Sequence, residues 1–282
     1  MAWGAQPIGT PDTAAKDIRP LIGEVNVLES SVGQRGAGKS TLQCQRAWDL
    51  SYELGGAYVI GHSLGSRLPR KLPDGTILPI VYHETIAKLE RGIRRYPDKW
   101  HVLAPPLDIK GHKDTCDELL QFVARLAETL KKAAWKKQHP FGWHKSSVNY
   151  DDVRSTPIIV LIDEGIAVEA AGPSRKDRNT WFLEFLYSLR HMHVAMFYAI
   201  QDASARSWRV LEQSTEIHVF SIRHQWALQA IQAAGASDDE IARIKRLPTP
   251  KQLKSGERKH EHVSLNFDSP TTEAPPEFMT KE

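Results

Sequence analysis

Cysteine is scarce in this 282-residue sequence: only Cys44 and Cys116 are present. Two are too few for a disulfide framework, and neither has a partner at metal-ligand spacing, so a reducing cytoplasm is the expected setting. Long hydrophobic runs are missing too. None reaches the ~18 residues that a membrane span needs, and those present, such as Ile158 to Ile162 and Val194 to Ile200, have the length of a strand. The first residues lack a basic segment followed by an apolar one, which argues against a secretory signal. Charge of one sign is also weak, with a formal net charge of +3 and a pI near 8.7. So slight an excess permits an anionic partner without demanding one. No internal repeat is found. What remains is 41% hydrophobic and 25% charged, an ordinary balance for a soluble globular protein of one large α/β domain.

Residues 1–20 are rich in Gly, Pro, Ala and Thr without a period and read as a flexible N-terminal arm. Residues 21–267 read as the folded domain, and 268–282, rich in Pro, Glu and Thr, as a disordered tail. Within the domain, strands are expected at Val25 to Glu29, Ala57 to Ile60, Trp100 to Leu103, Ile158 to Ile162, Val194 to Ile200, Glu216 to Ile222 and His262 to Phe267. Helices are expected at Thr41 to Leu54, His83 to Arg95, Asp114 to Lys137, Asn179 to His191, Trp226 to Ala234 and Asp238 to Leu247, with Asp114 as the cap of the longest. Residues 62–80 read as a loop with a hairpin around Pro73-Asp74-Gly75. Strands alternating with helices predict a mostly parallel central sheet flanked by helices.

Gly33-Gln34-Arg35-Gly36-Ala37-Gly38-Lys39-Ser40 matches the phosphate-binding loop pattern in full, between a predicted strand and a predicted helix that begins with Thr41. Glycines let successive backbone N–H groups turn toward phosphate oxygens, and the helix presents its positive end to the same anion. Lys39 is the group that reaches the β- and γ-phosphates, and the Ser40 hydroxyl is a Mg²⁺ ligand. A Gly-rich turn with an incidental lysine is the plainer alternative, and the flanking strand and helix weigh against it. Downstream, Ile158-Ile159-Val160-Leu161-Ile162-Asp163-Glu164 reads as a core strand that delivers carboxylates to its C-terminal edge, where open α/β sheets bind ligands. Asp163 would hold Mg²⁺, and Glu164 would act as general base toward water. Absence again narrows the choice. There is no Asn-Lys-x-Asp of guanine-specific switches and no Leu-Ser-Gly-Gly-Gln of transporter ATPases, so ATP is the expected nucleotide. Gln201 ends the strand expected beside Asp163, where it could contact the γ-phosphate or the attacking water; a solvent-facing glutamine is the alternative.

The order of these elements resembles the FtsK/HerA superfamily of DNA-pumping ATPases, and most of all its viral genome-packaging branch. The likeness spans about residues 24 to 250. It rests on the phosphate loop, the Asp163-Glu164 strand, the run Arg190-His191-Met192-His193 leading into the Gln201 strand, and Ile217-His218-Val219-Phe220-Ser221-Ile222-Arg223. The resemblance implies a P-loop NTPase fold of the additional-strand, catalytic-glutamate, RecA-like type. It implies an ATPase that moves double-stranded DNA, self-associates into a ring such as a hexamer, and works in the host cytoplasm, with capsid vertex proteins as further partners. It also implies an arginine that reaches the neighbouring subunit's nucleotide; Arg190 and Arg223 are the first candidates, then Arg206 and Arg209. Conjugation or secretion ATPases, filamentous-phage morphogenesis proteins and a nucleotide-controlled assembly switch stay open as alternatives.

Other features read more plainly. Lys131, Lys132, Lys136 and Lys137 around Trp135 could touch DNA, though lysines at a helix end are equally explained by the helix dipole. Arg67, Arg70 and Lys71 could line a ring's pore or be solvated. His260-Glu261-His262 lacks the further ligands of a metal site. Trp48, Trp181 and Trp226 are expected in core or interface.

Overall fold

The computed structural model describes residues 27–34, 36–63, 68–106, 111–138, 153, 155–163, 175–201, 208–250 and 261–266. The expected arm (1–20) and tail (268–282) lie outside these residues, as do Arg35, Arg67, Glu164, Arg206 and His260. In chain order the elements are β1 (Leu28–Val32), α1 (Lys39–Glu53), β2 (Tyr58–Ser63), β3 (Ile80–His83), α2 (Ile86–Arg95), β4 (Trp100–Leu103), α3 (Gly111–Gln138), β5 (Ile158–Asp163), α4 (Arg175–Met192), β6 (Val194–Ile200), α5 (Trp208–Gln213), β7 (Glu216–Val219), α6 (Gln225–Ala233), α7 (Asp238–Arg246) and β8 (Val263–Asn266). The strands form one sheet of eight, ordered β3-β4-β2-β5-β6-β1-β7-β8. Neighbours run parallel throughout, except that β8 closes the edge antiparallel to β7.

A parallel sheet of this kind is buried on both faces, and its strands alternate sides with period two. Ile158, Val160 and Ile162 of β5 join one core with Leu119, Leu120 and Val123 of α3 and Phe185 and Leu189 of α4. Ile159 and Leu161 join the other core, with Cys44 and Ala47 of α1, Val59, Trp100 and the apolar residues of the 68–78 segment. Each such side chain fully buried contributes ~1.5–3 kcal/mol. The same alternation sends Asp163 to the α1 side. Cys44 and Cys116 are buried; burial, with Asp163 adding to it at Cys44 and Asp117 at Cys116, pushes both thiols well above the usual range. No helix among the described residues is long and apolar enough to cross a membrane.

Several expectations are corrected. The first strand, Leu28–Val32, continues past the expected end at Glu29 through Ser30 and Ser31, all buried, while Val25 lies outside the described residues. Polar residues are tolerated there where they find partners: Ser30 Oγ and Ser214 Oγ bond at 2.7 Å, and Glu29 is bonded by Arg46 and His218. β2 continues past Ile60 to Ser63. The helix expected from His83 starts at Ile86, capped by Thr85, whose hydroxyl accepts from Lys88 N–H at 3.3 Å. Residues Ile80–His83 are instead the edge strand β3. The longest helix starts at Gly111, so Asp114 lies inside its first turn and not at its cap. Trp226 is 64% exposed and so not a core residue, whereas Trp48 packs on Trp100 with ring centroids 6.3 Å apart. The turn around Pro73-Asp74-Gly75 does form, pinned by the Lys71–Ile77 bridge and by Asp74, which accepts from Thr76 N–H at 2.9 Å. Lys131 is buried, while Lys132 pairs with Glu128 and Lys136 and Lys137 are exposed.

Under α1, on the β1–β7 side of the sheet, sits a charged cluster. Arg46 of α1 grips Glu29 of β1 through two bonds (2.7 and 2.9 Å) and reaches Glu216 of β7 at 3.1 Å. His218 Nε2–H donates to Glu29 at 3.1 Å, and its Nδ1 is hydrogen-bonded to the hydroxyl of Ser264 of β8 at 3.0 Å. Burial raises the Glu29 carboxyl, but the bonds and charges of His218 and Arg46 outweigh it and hold the group below its ordinary value of 4.5. A carboxyl lowered by folding stabilises above its unfolded pKa, and that stabilisation is lost as pH falls through the folded value. Glu29→Gln is therefore expected to cost about 1–3 kcal/mol at pH 7, less than a fully buried pair because Arg46 keeps contact with solvent and with Glu216. Urea midpoints against pH check this. Wild type should lose stability steeply below pH 4.5, and the variant should show a shallower acid limb.

Candidate active site

The loop between β1 and α1 is shaped by what surrounds it. Gly33 N–H donates to the Ile200 carbonyl at 3.1 Å, and Phe220 N–H donates to the Val32 carbonyl at 2.8 Å. The chain thus leaves the sheet in a slot between β6 and the residue following β7. A Cβ on Gly33 would stand 2.6 Å from Phe220 Cβ, so the slot admits glycine alone. Gly36 and Gly38 have φ of 78° and 104°, values that cost an L residue ~1–2 kcal/mol. Gly38 precedes α1 directly, and no side chain caps that helix start. Its first N–H groups and the positive end of its dipole are left for an anion.

Lys39, at 8% exposure, curls into the loop and donates to the carbonyls of Gly33 (2.6 Å) and Gln34 (3.0 Å). Its ammonium is held at the centre of the curve. One residue on, Ser40 Oγ donates to Asp163 Oδ1 at 2.5 Å. Asp163 is 4% exposed, and Ser63 at the end of β2 lies 3.5 Å from its other oxygen. Thr41 is half-buried in the first turn of α1. Hydroxyl and carboxylate oxygens are the hard donors that Mg²⁺ selects, so Ser40 and Asp163 fit that ion by chemistry and by proximity. Among the described residues, the loop thus curves around an ammonium and has a hydroxyl–carboxylate pair beside it, a geometry into which a polyphosphate and a cation would fit.

Strand register brings in Gln201. Ala199 of β6 pairs with Asp163 on one side and Ser31 on the other, and Ile200 pairs with Val32. Gln201 follows at the sheet edge, half-buried, next to Gly33 and past the row of Asp163. The structure therefore brings Gly33, Lys39, Ser40, Asp163 and Gln201 to one edge. Glu164 and Arg35 fall outside the described residues. Arg190 belongs to α4 and Arg209 to α5. Arg223 is exposed but engaged: it donates to the Lys245 carbonyl and, at 2.9 Å, to that of Leu247, holding the C-terminal end of α7.

Sequence reasoning missed three residues of this region. Ser63 would have been found by extending β2 in parallel register with β5, since Ser63 pairs with Asp163. Phe220 sets the space at Gly33, and nothing in the sequence signals it. Gln43, fully buried on α1, offers one weak sign, its four-residue spacing from Lys39.

A phosphate loop on the strand next to β6, with the aspartate strand on the far side of β6, decides the fold. It is that of a P-loop NTPase of the additional-strand type. Among solved structures, the genome packaging NTPase B204 from Sulfolobus turreted icosahedral virus 2 in complex with AMPPCP matches with a TM-score of 0.51 at 14% identity, over 87% of this chain and 95% of that chain. The same protein in complex with sulfate matches with a TM-score of 0.50 at 16% identity, over 87% and 94%. The pCW3 conjugation coupling protein TcpA is matched more loosely, with a TM-score of 0.39 at 13% identity, over 73% of this chain and 51% of that chain. No protein-family model and no curated protein matches the chain. The fold that the family resemblance implied is the fold found, at an identity that speaks for architecture alone.

Gly33→Ala is expected to weaken binding of ATP analogues at least tenfold and to destabilise the chain by about 1–3 kcal/mol through overpacking. Since the clash is with Phe220 Cβ, adding Phe220→Ala should not relieve it. Titration calorimetry and thermal melts on the single and double variants test this.

Proposed function

We propose that this chain is an ATPase that binds ATP with Mg²⁺ and couples hydrolysis to the movement of double-stranded DNA, with the packaging of a viral genome into a capsid as its work. One observation carries the catalytic half: residues 123 positions apart, Ser40 and Asp163, meet at 2.5 Å beside the loop that encloses the Lys39 ammonium. A structural turn would have no use for an N-terminally uncapped helix, a buried lysine and a buried aspartate at one edge. Asp163 and Ser40 are the residues that hold the cation, which neutralises charge on the polyphosphate when bound. Lys39 exchanges its loop carbonyls for phosphate oxygens. Glu164, next in the chain after Asp163, takes the proton of the attacking water, and Gln201 orients that water. Hydrolysis rather than transfer is favoured because a carboxylate directly follows the metal-binding aspartate in the chain.

The DNA half rests on the resemblance of the Gln201 and Arg223 strands to packaging motors and on the description of the similar fold as a genome packaging NTPase. The exposed Lys136 and Lys137 at the end of α3 support an anionic partner. The proposal includes self-association into a ring, taken as a hexamer, in the host cytoplasm, with a capsid vertex as the docking place. An arginine of one subunit, Arg190 or Arg223, completes its neighbour's site. For Arg223 this requires release from the α7 carbonyls. Such a group is worth ~10³-fold or more in rate.

Lys39→Ala should lower the ATPase rate by about 10²-fold or more, and near-normal turnover would remove the site assignment. Glu164→Gln should bind ATP yet hydrolyse it about 10²–10⁴-fold more slowly, read by equilibrium binding beside steady-state rates. For the motor, the decisive measurement is the ATPase rate with and without duplex DNA on protein of known solution mass. Stimulation in a ring-sized species is expected, together with recovery of activity when an Arg190 or Arg223 variant is mixed with Lys39→Ala. A monomer indifferent to DNA would overturn the motor while leaving the hydrolase.

A further inference from the structure

Helix α1 turns its Lys39, Gln43 and Ala47 stripe toward the sheet, together with Cys44. The positions after Lys39 in such a stripe normally carry small or apolar residues, as Cys44 and Ala47 do. Gln43 departs from that rule. It is a long carboxamide at 1% exposure, and burying one without hydrogen bonds costs several kcal/mol, on the order of 2–7. Its amide is oriented by its surroundings: with the oxygen toward the sheet, Gln43 Oε1 accepts from Ala199 N–H at 2.7 Å and from Tyr198 N–H at 3.1 Å. The opposite orientation would press its NH₂ donors against two more donors.

These partners are not incidental. Ala199 is the β6 residue in register with Asp163, and Gln201 stands two places beyond it. On the helix, Gln43 lies one turn past Lys39 and Ser40. It joins the backbone that carries one half of the site to the backbone that carries the other. We propose that Gln43 is a positioning residue, which fixes the distance between the phosphate-binding helix and the end of β6 so that Gln201 and Asp163 stand correctly over Lys39 and Ser40. It reaches no phosphate itself and acts through Gln201. This rests on the ATPase reading above.

The test is a double-mutant cycle with Gln43→Met, which keeps the length and bulk but has no amide oxygen, and Gln201→Ala. Gln43→Met alone should lower kcat about tenfold, leave KM for ATP and the affinity for a non-hydrolysable analogue within about twofold, and have a much smaller effect when Gln201 is already alanine. Gln43→Asn, too short to span the gap, should behave like Gln43→Met and serves if the methionine variant folds poorly. A wild type that turns over ATP while both Gln43 variants keep full kcat overturns this proposal alone. Losses additive with Gln201→Ala, or equal losses in binding and turnover, reduce Gln43 to a packing residue and overturn it as well. A folded wild type with no ATPase activity removes the reading beneath it, and this inference falls with it.

Discussion

A single hydrogen bond, Ser40 Oγ to Asp163 Oδ1, ties together parts of the chain that nothing local would bring into contact. It exists because β6 is wedged between β1 and β5 and because the three strands are in register to their last residues. Parity does the rest. The side of the sheet that receives Ile159 and Leu161 also receives Asp163, and α1 covers that side. A slip of one residue in β5 would bury the aspartate in the opposite core, under α3 and α4. The apolar residues of β5 thus do more than fill space, since their pairing sets where the carboxylate emerges.

Much of this was legible in the residues. The glycine-rich loop, the Asp163 strand, the Gln201 strand and the two helices α3 and α4 could be read because each is a strong local pattern, glycine spacing or regular apolarity. The misplaced elements share a different cause. β1 is Leu-Glu-Ser-Ser-Val, whose polar middle hides a buried strand. It becomes one only when Arg46, His218 and Ser214 arrive from elsewhere in the chain. β3 hid because Ile80–His83 is short and lies against the capped start of α2. Phe220 could not be read at all, since its role is to stand 2.6 Å from an atom that Gly33 does not have.

Polar groups at the seam between α1 and the sheet are each matched by a partner of opposite character. Lys39 meets carbonyls, Ser40 a carboxylate, Gln43 a pair of backbone N–H groups and Arg46 two glutamates. One helix therefore touches β1, β5, β6 and β7 through polar bonds as well as through its apolar stripe. Apolar burial is non-directional, whereas a sequence of hydrogen bonds has fixed distances and angles. The helix that presents the loop is held in a single register against the strands it serves.

The burial of Cys44 and Cys116 has a practical side. Both are at 0% exposure, and the low dielectric around them keeps each sulfur protonated at neutral pH. Thiolate is the reactive species, and these are the only cysteines in the chain. A single cysteine placed on the surface would accordingly take a maleimide fluorophore or spin label without removal of the native pair. Movements of the labelled position could then be followed in otherwise unaltered protein.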